Sequence, residues 1–250
     1  MMRSLMLLSV LLLSIPAAIA PAFAEWTAEL YGGGSFTNKL TVTEASSLGL
    51  TASFEGVKAN SSGTIGGRLG YWFDEVADSN LALGIGLDVF SFGANLDQQT
   101  VPVQVGTIRT TGTLRAFDIP VIGISFDLVK LRLHLAKSEQ FPQGQLRPYA
   151  TLGPAIFKVS MQDTANFRPN HQSASDMAVG VKIGVGTQYL LTQNIGVFAE
   201  YRFTHFKADG SFHHLGPPAS TETLSANFDT HHLIAGLSVL FDLPSTLLEP

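Results

Sequence analysis

Large apolar residues alternate with small or polar residues along much of the chain. In one stretch Ile65, Gly67, Leu69, Tyr71 and Phe73 alternate with Gly66, Arg68, Gly70 and Trp72. The same alternation recurs over residues 81–89 and 177–189. Since successive side chains of a strand point to opposite faces, a period of two predicts β-strands.

Eight segments carry this pattern, and each is near or above the roughly 9–11 residues that a tilted transmembrane strand needs. They cover residues 26–36, 63–74, 80–93, 112–126, 146–160, 175–190, 194–208 and 227–241. Two connections are short, 75–79 and 191–193, whereas four are long: 37–62, 94–111, 161–174 and 209–226. Short turns at one end and long loops at the other are typical of an outer-membrane barrel.

The second face of these segments consists mostly of Gly and Ala with isolated charges. Gly packs poorly in an ordinary strand, but small residues fit the tight interior of a narrow closed barrel. We therefore predict an all-β fold, an eight-stranded antiparallel transmembrane up-and-down β-barrel over residues 25–241. A soluble periplasmic lipocalin-like carrier is the alternative, and it would need a polar exterior that the small face does not provide.

The fourth segment is less regular than the others. Pro120 cannot donate a ladder hydrogen bond, and the alternation changes phase between Ile122 and Leu128. This predicts a bulge or a strand break between Gly123 and Leu128, followed by a connection over 127–145.

The two ends of the chain differ from the barrel pattern. Residues 1–24 combine Arg3, an apolar run from Leu5 to Ile15, and Ala22-Phe23-Ala24. This is typical of a cleaved signal peptide, so the mature chain would begin at Glu25 and be exported. After Ala24 no run of 18 apolar residues occurs, which excludes a helical span. Residues 242–250 form a short C-terminal tail.

Composition narrows the function further. Only 14% of the 250 residues are charged, against roughly 25% in soluble domains, which suits a lipid-facing surface. The absence of Cys excludes zinc ribbons, thiol redox motifs and cysteine nucleophiles. A net charge of −5 argues against a nucleic-acid partner.

Three stretches carry a family resemblance: GGRLGYWF at Gly66–Phe73, RPYATLGPAIF at Arg147–Phe157, and the closing hairpin NIGVFAEYRFTHF…FDTHHLIAGLSVLF at 194–241. With them the chain resembles the small eight-stranded outer-membrane barrels, the OmpA-like or opacity-type domains. The resemblance implies a place in the outer membrane of a Gram-negative-type bacterium. It also implies contact with outer-membrane lipid and lipopolysaccharide, and insertion by the barrel-assembly machinery.

In that family the closing strand alternates apolar residues and ends in an aromatic, and this pattern is thought to be the assembly signal. The matching residues here are Leu233, Ala235, Leu237, Val239 and Phe241. The aromatic is usually the last residue of the chain, whereas nine residues follow Phe241.

Six charged residues are predicted to point into the barrel: Glu29, Arg68, Asp88, Lys182, Glu200 and Arg202. Three acids balance three bases, as a desolvated interior requires, because an unpaired charge there costs several kcal/mol. The set is either a plug of salt bridges or an ion pathway. We favour the plug, because roughly eight strands leave an interior that side chains can fill.

Histidine chemistry is the remaining candidate. His205 and His231 should lie close together at the outer end of the last hairpin, with His213 and His214 in the connecting loop and His232 facing inward. The sequence lacks a short metal-binding spacing such as HExxH. We therefore predict no metal site and no cofactor.

A lipid A deacylase is the enzyme alternative, because similar barrels carry a His-x-Ser element. The corresponding residues here are His205-Phe206-Lys207, with Asp229 as a carboxylate, and Lys207 replaces the nucleophilic Ser. We therefore predict no enzyme and no catalytic residues. The leading hypothesis is a structural or surface-interaction protein with at most a narrow pore, whose outer loops could contact unknown surface ligands.

Overall fold

The computed structural model describes residues 25–47, 49–75, 79–164, 173–214 and 220–241, and at 74, 75, 213, 214 and 220 it describes the backbone alone. The described residues form thirteen strands. The strands are β1 (Glu25–Thr37), β2 (Leu40–Ser46), β3 (Thr51–Val57), β4 (Ser62–Glu75), β5 (Leu81–Gly93), β6 (Gln99–Val105), β7 (Ile108–Leu114), β8 (Phe117–Asp118), β9 (Pro120–Leu133), β10 (Leu146–Asp163), β11 (Ser173–Leu190), β12 (Ile195–His214) and β13 (Ser220–Phe241). In these ranges no helix is long and apolar enough to cross a membrane. The predicted signal peptide, 1–24, and the predicted tail, 242–250, lie outside the described residues.

Eight of the strands pair in a ring, in the order β1-β4-β5-β9-β10-β11-β12-β13. Pairing of β13 with β1, from Trp26↔Phe241 to Thr37↔Thr230, closes the ring. All eight pairings are antiparallel. The predicted eight-stranded antiparallel barrel is confirmed. Since the ring has no open edge, every strand in it has a hydrogen-bonded neighbour on both sides.

The outer face of the ring is apolar and exposed. Its exposed side chains include Leu30, Ile65, Leu69, Ile85, Ile124, Leu152, Val179, Ile183, Leu233 and Leu237. The intervening residues on the inner face are buried, as the burial pattern of β9 and β11 shows. This arrangement is the reverse of a soluble sheet and matches a lipid-facing barrel.

The fourth strand of the ring was predicted wrongly at 112–126. It is β9, which runs continuously through 123–128, so of the two predicted alternatives the bulge is confirmed and the strand break is wrong. A bulge shifts its register against both neighbours, between Leu152 and Ala155 of β10 and between Gly84 and Gly86 of β5. Because Leu128 and Val129 are both exposed, the inward positions after the bulge change to Lys130 and Arg132.

Gly153 makes room for this bulge. A Cβ at position 153 would lie 1.8 Å from the carbonyl oxygen of Phe126, which no side chain tolerates. Pro120 is the first residue of β9, where a missing amide donor costs least.

Four additional strands occupy residues that were predicted to be long loops. The outer part of β13 pairs with β2 through 222–226 and 42–46, and the sheet continues through β3 and β6 to β7. On the other side β8 pairs with the end of β10. We call β2, β3, β6, β7 and β8, together with the ends of β10–β13 beyond the ring, the outer extension. The long connections predicted at 37–62, 94–111 and 209–226 were therefore wrong in part, because strands occupy most of these residues.

The interior changes character along the barrel axis. At the end with short turns it is charged, whereas toward the outer extension it is aromatic. Phe206 stacks on Phe157 and Phe228 at 4.2 and 5.0 Å between ring centroids. Beyond this stack, apolar side chains surround a small cavity; they are Val42, Leu96, Phe117, Ile119, Met161, Leu224, Ala226 and Phe228.

Candidate functional site

The six charged residues predicted to point inward are all buried in the barrel interior. Strand register brings three of them together, because Glu29 pairs with Arg68 across β1–β4 and Arg68 with Asp88 across β4–β5. On the opposite wall Gly186 pairs with Glu200, and Gly184 with Arg202. The charges therefore project from two walls toward each other.

Arg68 links the two walls. Its Nε lies 2.5 Å from Glu29 Oε2 on the adjacent strand, and its Nη1 lies 2.8 Å from Glu200 Oε2 across the interior. The Tyr149 hydroxyl donates to the same Glu200 oxygen at 2.8 Å. One guanidinium thus joins β1, β4, β10 and β12.

Asp88 is the centre of the neighbouring group. Its Oδ2 lies 2.6 Å from Lys182 Nζ and 2.8 Å from Arg202 Nη2. The Tyr31 hydroxyl donates to Asp88 Oδ1 at 2.6 Å and accepts from Arg202 Nη1 at 2.8 Å. Arg202 Nε reaches Glu200 Oε1 at 3.0 Å, so the two groups form one continuous network.

Five further charges buried in the described interior of the ring were missed by the sequence analysis. Asp127 pairs with Lys182 at 2.8 Å. Glu25 pairs with Arg132 at 2.6 Å and with Arg147 at 3.0 Å, nearer the end with short turns. Arg132 Nε also donates to His134 Nε2 at 3.0 Å.

The signal for two of these charges, and for His134 beside them, was present in the sequence. Lys130, Arg132 and His134 alternate with apolar residues from Val129 to Leu135. Assigning 127–145 to a connection removed that stretch from the barrel.

Lys130, the fifth missed charge, is a buried cation with an aromatic partner. Its Nζ lies 4.3 Å from the Trp72 ring, whose centroid is also 4.3 Å from the Arg132 guanidinium. The ammonium has no hydrogen-bond partner among the described residues. Within the described barrel interior, five acids therefore face six bases.

Glycines of the inner face provide the space for these long side chains. A Cβ on Gly84 would lie 2.7 Å from the Trp72 ring, and one on Gly70 would lie 2.5 Å from Lys130 Nζ. The small inner face that first indicated a barrel is thus the surface on which the charged and aromatic side chains lie.

The histidine side chains that the structure describes have separate partners. His205 Nδ1 lies 2.6 Å from Asp229 Oδ1, whereas His231 Nδ1 lies 2.6 Å from the Tyr201 hydroxyl. His232 is buried, with Nε2 3.1 Å from Thr204 Oγ1. His213 and His214 belong to β12 and not to a connecting loop. In the described ranges no three His, Cys, Asp or Glu side chains are grouped to hold a metal.

The elements of the deacylase alternative are only partly assembled. His205 and Asp229 form a hydrogen-bonded pair across β12–β13, both about half exposed. The side chain two residues on is Lys207, whose Nζ lies 3.6 Å from Asp209. The next serine along the chain is Ser211, which also lies in β12, with its hydroxyl 3.3 Å from that of Thr223.

The residues matching the assembly signal all lie in β13, which pairs with both β1 and β12. Leu233, Leu237 and Val239 are exposed on the outer face. They form part of the apolar belt, and β13 ends at Phe241.

Comparison with known proteins agrees with this architecture. The family model described as outer membrane protein beta-barrel domain matches residues 10–241. No curated protein matches. Among solved structures, OprG from Pseudomonas aeruginosa is 13% identical, with 88% of this chain and 97% of that chain covered and a TM-score of 0.49. Neisserial surface protein A is 14% identical, with 86% and 96% covered and a TM-score of 0.43.

The attachment invasion locus protein Ail of Yersinia pestis is 11% identical, with 86% of this chain and 98% of that chain covered and a TM-score of 0.37. The family model covers most of the 250 residues and confirms the outer-membrane barrel family that the sequence motifs indicated. The chain therefore belongs to the outer membrane protein beta-barrel domain family, which implies a location in the outer membrane of Gram-negative bacteria.

Proposed function

We propose that the protein is an integral outer-membrane barrel with a structural and surface-interaction role, whose interior is plugged and conducts at most through a narrow pore. The observation that carries this proposal is the network of buried ion pairs that spans the interior from wall to wall. Lys182 and Arg202 are fully buried within it, and both contact Asp88.

Opening a continuous water path would require these pairs to separate. Removing one partner of a buried pair costs roughly 3–5 kcal/mol, because the other charge is left without compensation. The Phe157–Phe206–Phe228 stack forms a second barrier nearer the outer extension. Water and ions would have to pass both layers.

The plug is tested by single-channel recording of the purified protein in planar bilayers. We expect small and rare conductance steps, whereas steady porin-sized currents would contradict the plug. Lys182→Ala should destabilise the barrel without producing steady current. Lys158→Ala is the matched control, because Lys158 lies exposed on the outer face of β10.

The surface role is supported by the outer extension, whose sheet adds exposed polar strands above the ring. The strand β7 is exposed over most of its length. We expect cells that carry the protein to adhere more strongly to surfaces coated with serum proteins than cells that lack it. Equal adherence on several such coatings would count against this role.

The deacylase remains as a second candidate because His205 and Asp229 lie 2.6 Å apart. A hydrolase also needs a nucleophile beside that base, and Lys207 stands at the expected position. Mass spectrometry of lipid A from cells with and without the protein decides this point. We expect the same acyl chains in both, and loss of a chain only in the presence of the protein would establish the enzyme.

A further inference from the structure

The outer extension ends in a free strand edge. The sheet runs from β13 through β2, β3 and β6 to β7, and no described strand pairs with the other side of β7. The residues of β7 from Ile108 to Thr111 are exposed, as is Thr113. The side chain of Arg109 is 75% exposed.

The register identifies which backbone groups of β7 face this free edge. Gly106, at φ 59°, and Thr107 form a two-residue turn between the paired residues Val105 and Ile108. In such a hairpin the flanking pair is hydrogen-bonded, and bonded pairs then alternate with non-bonded pairs. The N–H and C=O groups of Arg109, Thr111 and Thr113 therefore point away from β6.

This edge lacks most of the devices that protect edge strands. Proteins blunt such edges with Lys, Pro, bulges or very short strands. β7 has seven residues, with the sequence IRTTGTL, and it pairs with β6 without a register shift. Arg109 is its single charge. The edge is long enough to receive three pairs of backbone hydrogen bonds.

We propose that β7 is a docking edge for an extended segment of a partner protein, which adds to the sheet through the backbone of Arg109, Thr111 and Thr113. This proposal rests on the surface-interaction role and specifies its chemistry. Strand addition draws affinity from main-chain hydrogen bonds and specificity from alternate side chains.

The side chains on the two faces of β7 define the segment that fits. On the face of Arg109 and Thr111, hydroxyls would be complementary, and so would a carboxylate, because the exposed Arg109 guanidinium contacts Glu55 only at 3.9 Å and can take a second acid. On the other face Ile108 is 68% exposed, beside the exposed Val105 on β6. The preferred partner is thus an extended strand that alternates apolar residues with polar residues, including one acid.

Amide hydrogen exchange of the full barrel in lipid nanodiscs tests the proposal. The probe is a synthetic seven-residue peptide of alternating valine and threonine with one central glutamate. We expect it to slow exchange at Arg109, Thr111 and Thr113 at least tenfold, with little change at Thr110 and Gly112, whose amides already bond to β6. The same peptide with alternate amides N-methylated, so that one edge cannot bond, should have no effect.

Thr111→Pro removes one free-edge amide and should weaken peptide binding at least tenfold. Thr111→Ala keeps the amide and should bind normally, and both variants should keep the heat-dependent mobility shift of a folded barrel. Unchanged exchange with the peptide, or normal binding by Thr111→Pro, would overturn the proposal. Protection that grows with protein concentration in the absence of peptide would assign the edge to a second copy and overturn it as well.

The adherence experiment fails or succeeds independently of this one. If the peptide protects the three amides but cells show no added adherence, the docking edge stands and the surface role in adhesion is wrong. Added adherence that Thr111→Pro does not reduce would leave the surface role intact and reject β7 as its site.

Discussion

The barrel interior contains two regions of opposite chemistry that are equally well buried. In the charged region Asp88, Lys182 and Arg202 are fully enclosed, and in the aromatic region so are Phe157 and Phe206. The charged side chains are held by directional contacts near 2.6–3.0 Å, the aromatic ones by stacking at 4.2 Å and above. One region depends on charge pairing and the other on filled volume.

The outer face of the same strands also changes along the barrel axis, from apolar beside the charged region to polar beyond the aromatic region. Along β12, Val197 and Tyr201 are exposed outside, with Glu200 and Arg202 buried inside. Further along, Lys207, Asp209 and Ser211 are exposed outside, with Phe206, Ala208 and Phe212 buried inside. The reversal near 203–207 is the point where lipid gives way to water as the outer solvent. The ring thus has an apolar exterior and a partly charged interior, whereas the outer extension has a polar exterior and an apolar interior, as a soluble protein does.

The strongest way to break this comparison is Arg202→Met. The change keeps much of the side-chain length but leaves Asp88 and Glu200 without their shared guanidinium. We expect a loss of about 3–5 kcal/mol in the free energy of unfolding. Urea unfolding in lipid vesicles, followed by tryptophan fluorescence, measures it.

Lys207→Met is the matched control for that experiment. Lys207 lies on the same strand but is exposed, with only a 3.6 Å contact to Asp209. It should change stability by less than about 1 kcal/mol. Equal effects of the two variants would mean that the buried network does not hold the barrel.

Phe206 supplies the corresponding test of the aromatic region. Phe206→Ala removes the ring that contacts Phe157 and Phe228 and should cost about 3 kcal/mol through the cavity it leaves. Phe206→Leu should cost less than about 1.5 kcal/mol, since apolar swaps of similar volume are tolerated. The urea midpoints of the two variants, compared with that of the wild type, distinguish the contribution of side-chain volume to stability from that of ring stacking. If Leu costs as much as Ala, the region depends on stacking and not on filled volume.

Much of the ring could be predicted from side-chain period alone. The period of two located seven of its strands, and parity along each strand assigned Glu29, Arg68 and Asp88 to one face. Period and parity could not predict which charged side chains form ion pairs across the interior. Lys182 meets Asp127, 55 positions earlier in the sequence, because of how the closed ring staggers its strands.

Two parts of the fold were predicted incompletely, for different physical reasons. In β9 the bulge near Leu128 and Val129 shifts the parity by one, so that a pattern with a constant period breaks off there. In the outer extension, β7 is exposed over most of its length and β2 has only two fully buried positions, Leu40 and Val42, so neither shows a long alternating apolar pattern. They form strands because β13 extends beyond the ring and offers a template edge at 222–226.

Arg115 joins the ends of the outer extension and should have a smaller effect. Its guanidinium lies 2.9 Å from Asp163 of β10 and also contacts Glu222 of β13. Because the side chain is partly exposed, Arg115→Gln should cost only about 1 kcal/mol. We expect faster amide exchange in β7 and β8 with the ring unaffected. Faster exchange in β4 and β5 as well would show that the extension and ring unfold together.

Lys130→Met should have the smallest effect, although Lys130 is as deeply buried as Lys182. Lys182 pairs with Asp88 and Asp127, so its removal leaves two carboxylates short of a cation. Among the described residues the ammonium of Lys130 has the Trp72 ring 4.3 Å away but no hydrogen-bond partner, and its removal would equalise the five acids and six bases of the described interior. Replacing a buried ion that lacks an acceptor by an apolar chain of similar length avoids the desolvation cost.

We therefore expect Lys130→Met to change the free energy of unfolding by less than about 1 kcal/mol and Lys182→Met to lower it by about 3 kcal/mol. Equal losses would mean that Lys130 has an acceptor in the folded barrel, and the charged region would then depend on total charge and not on pairing.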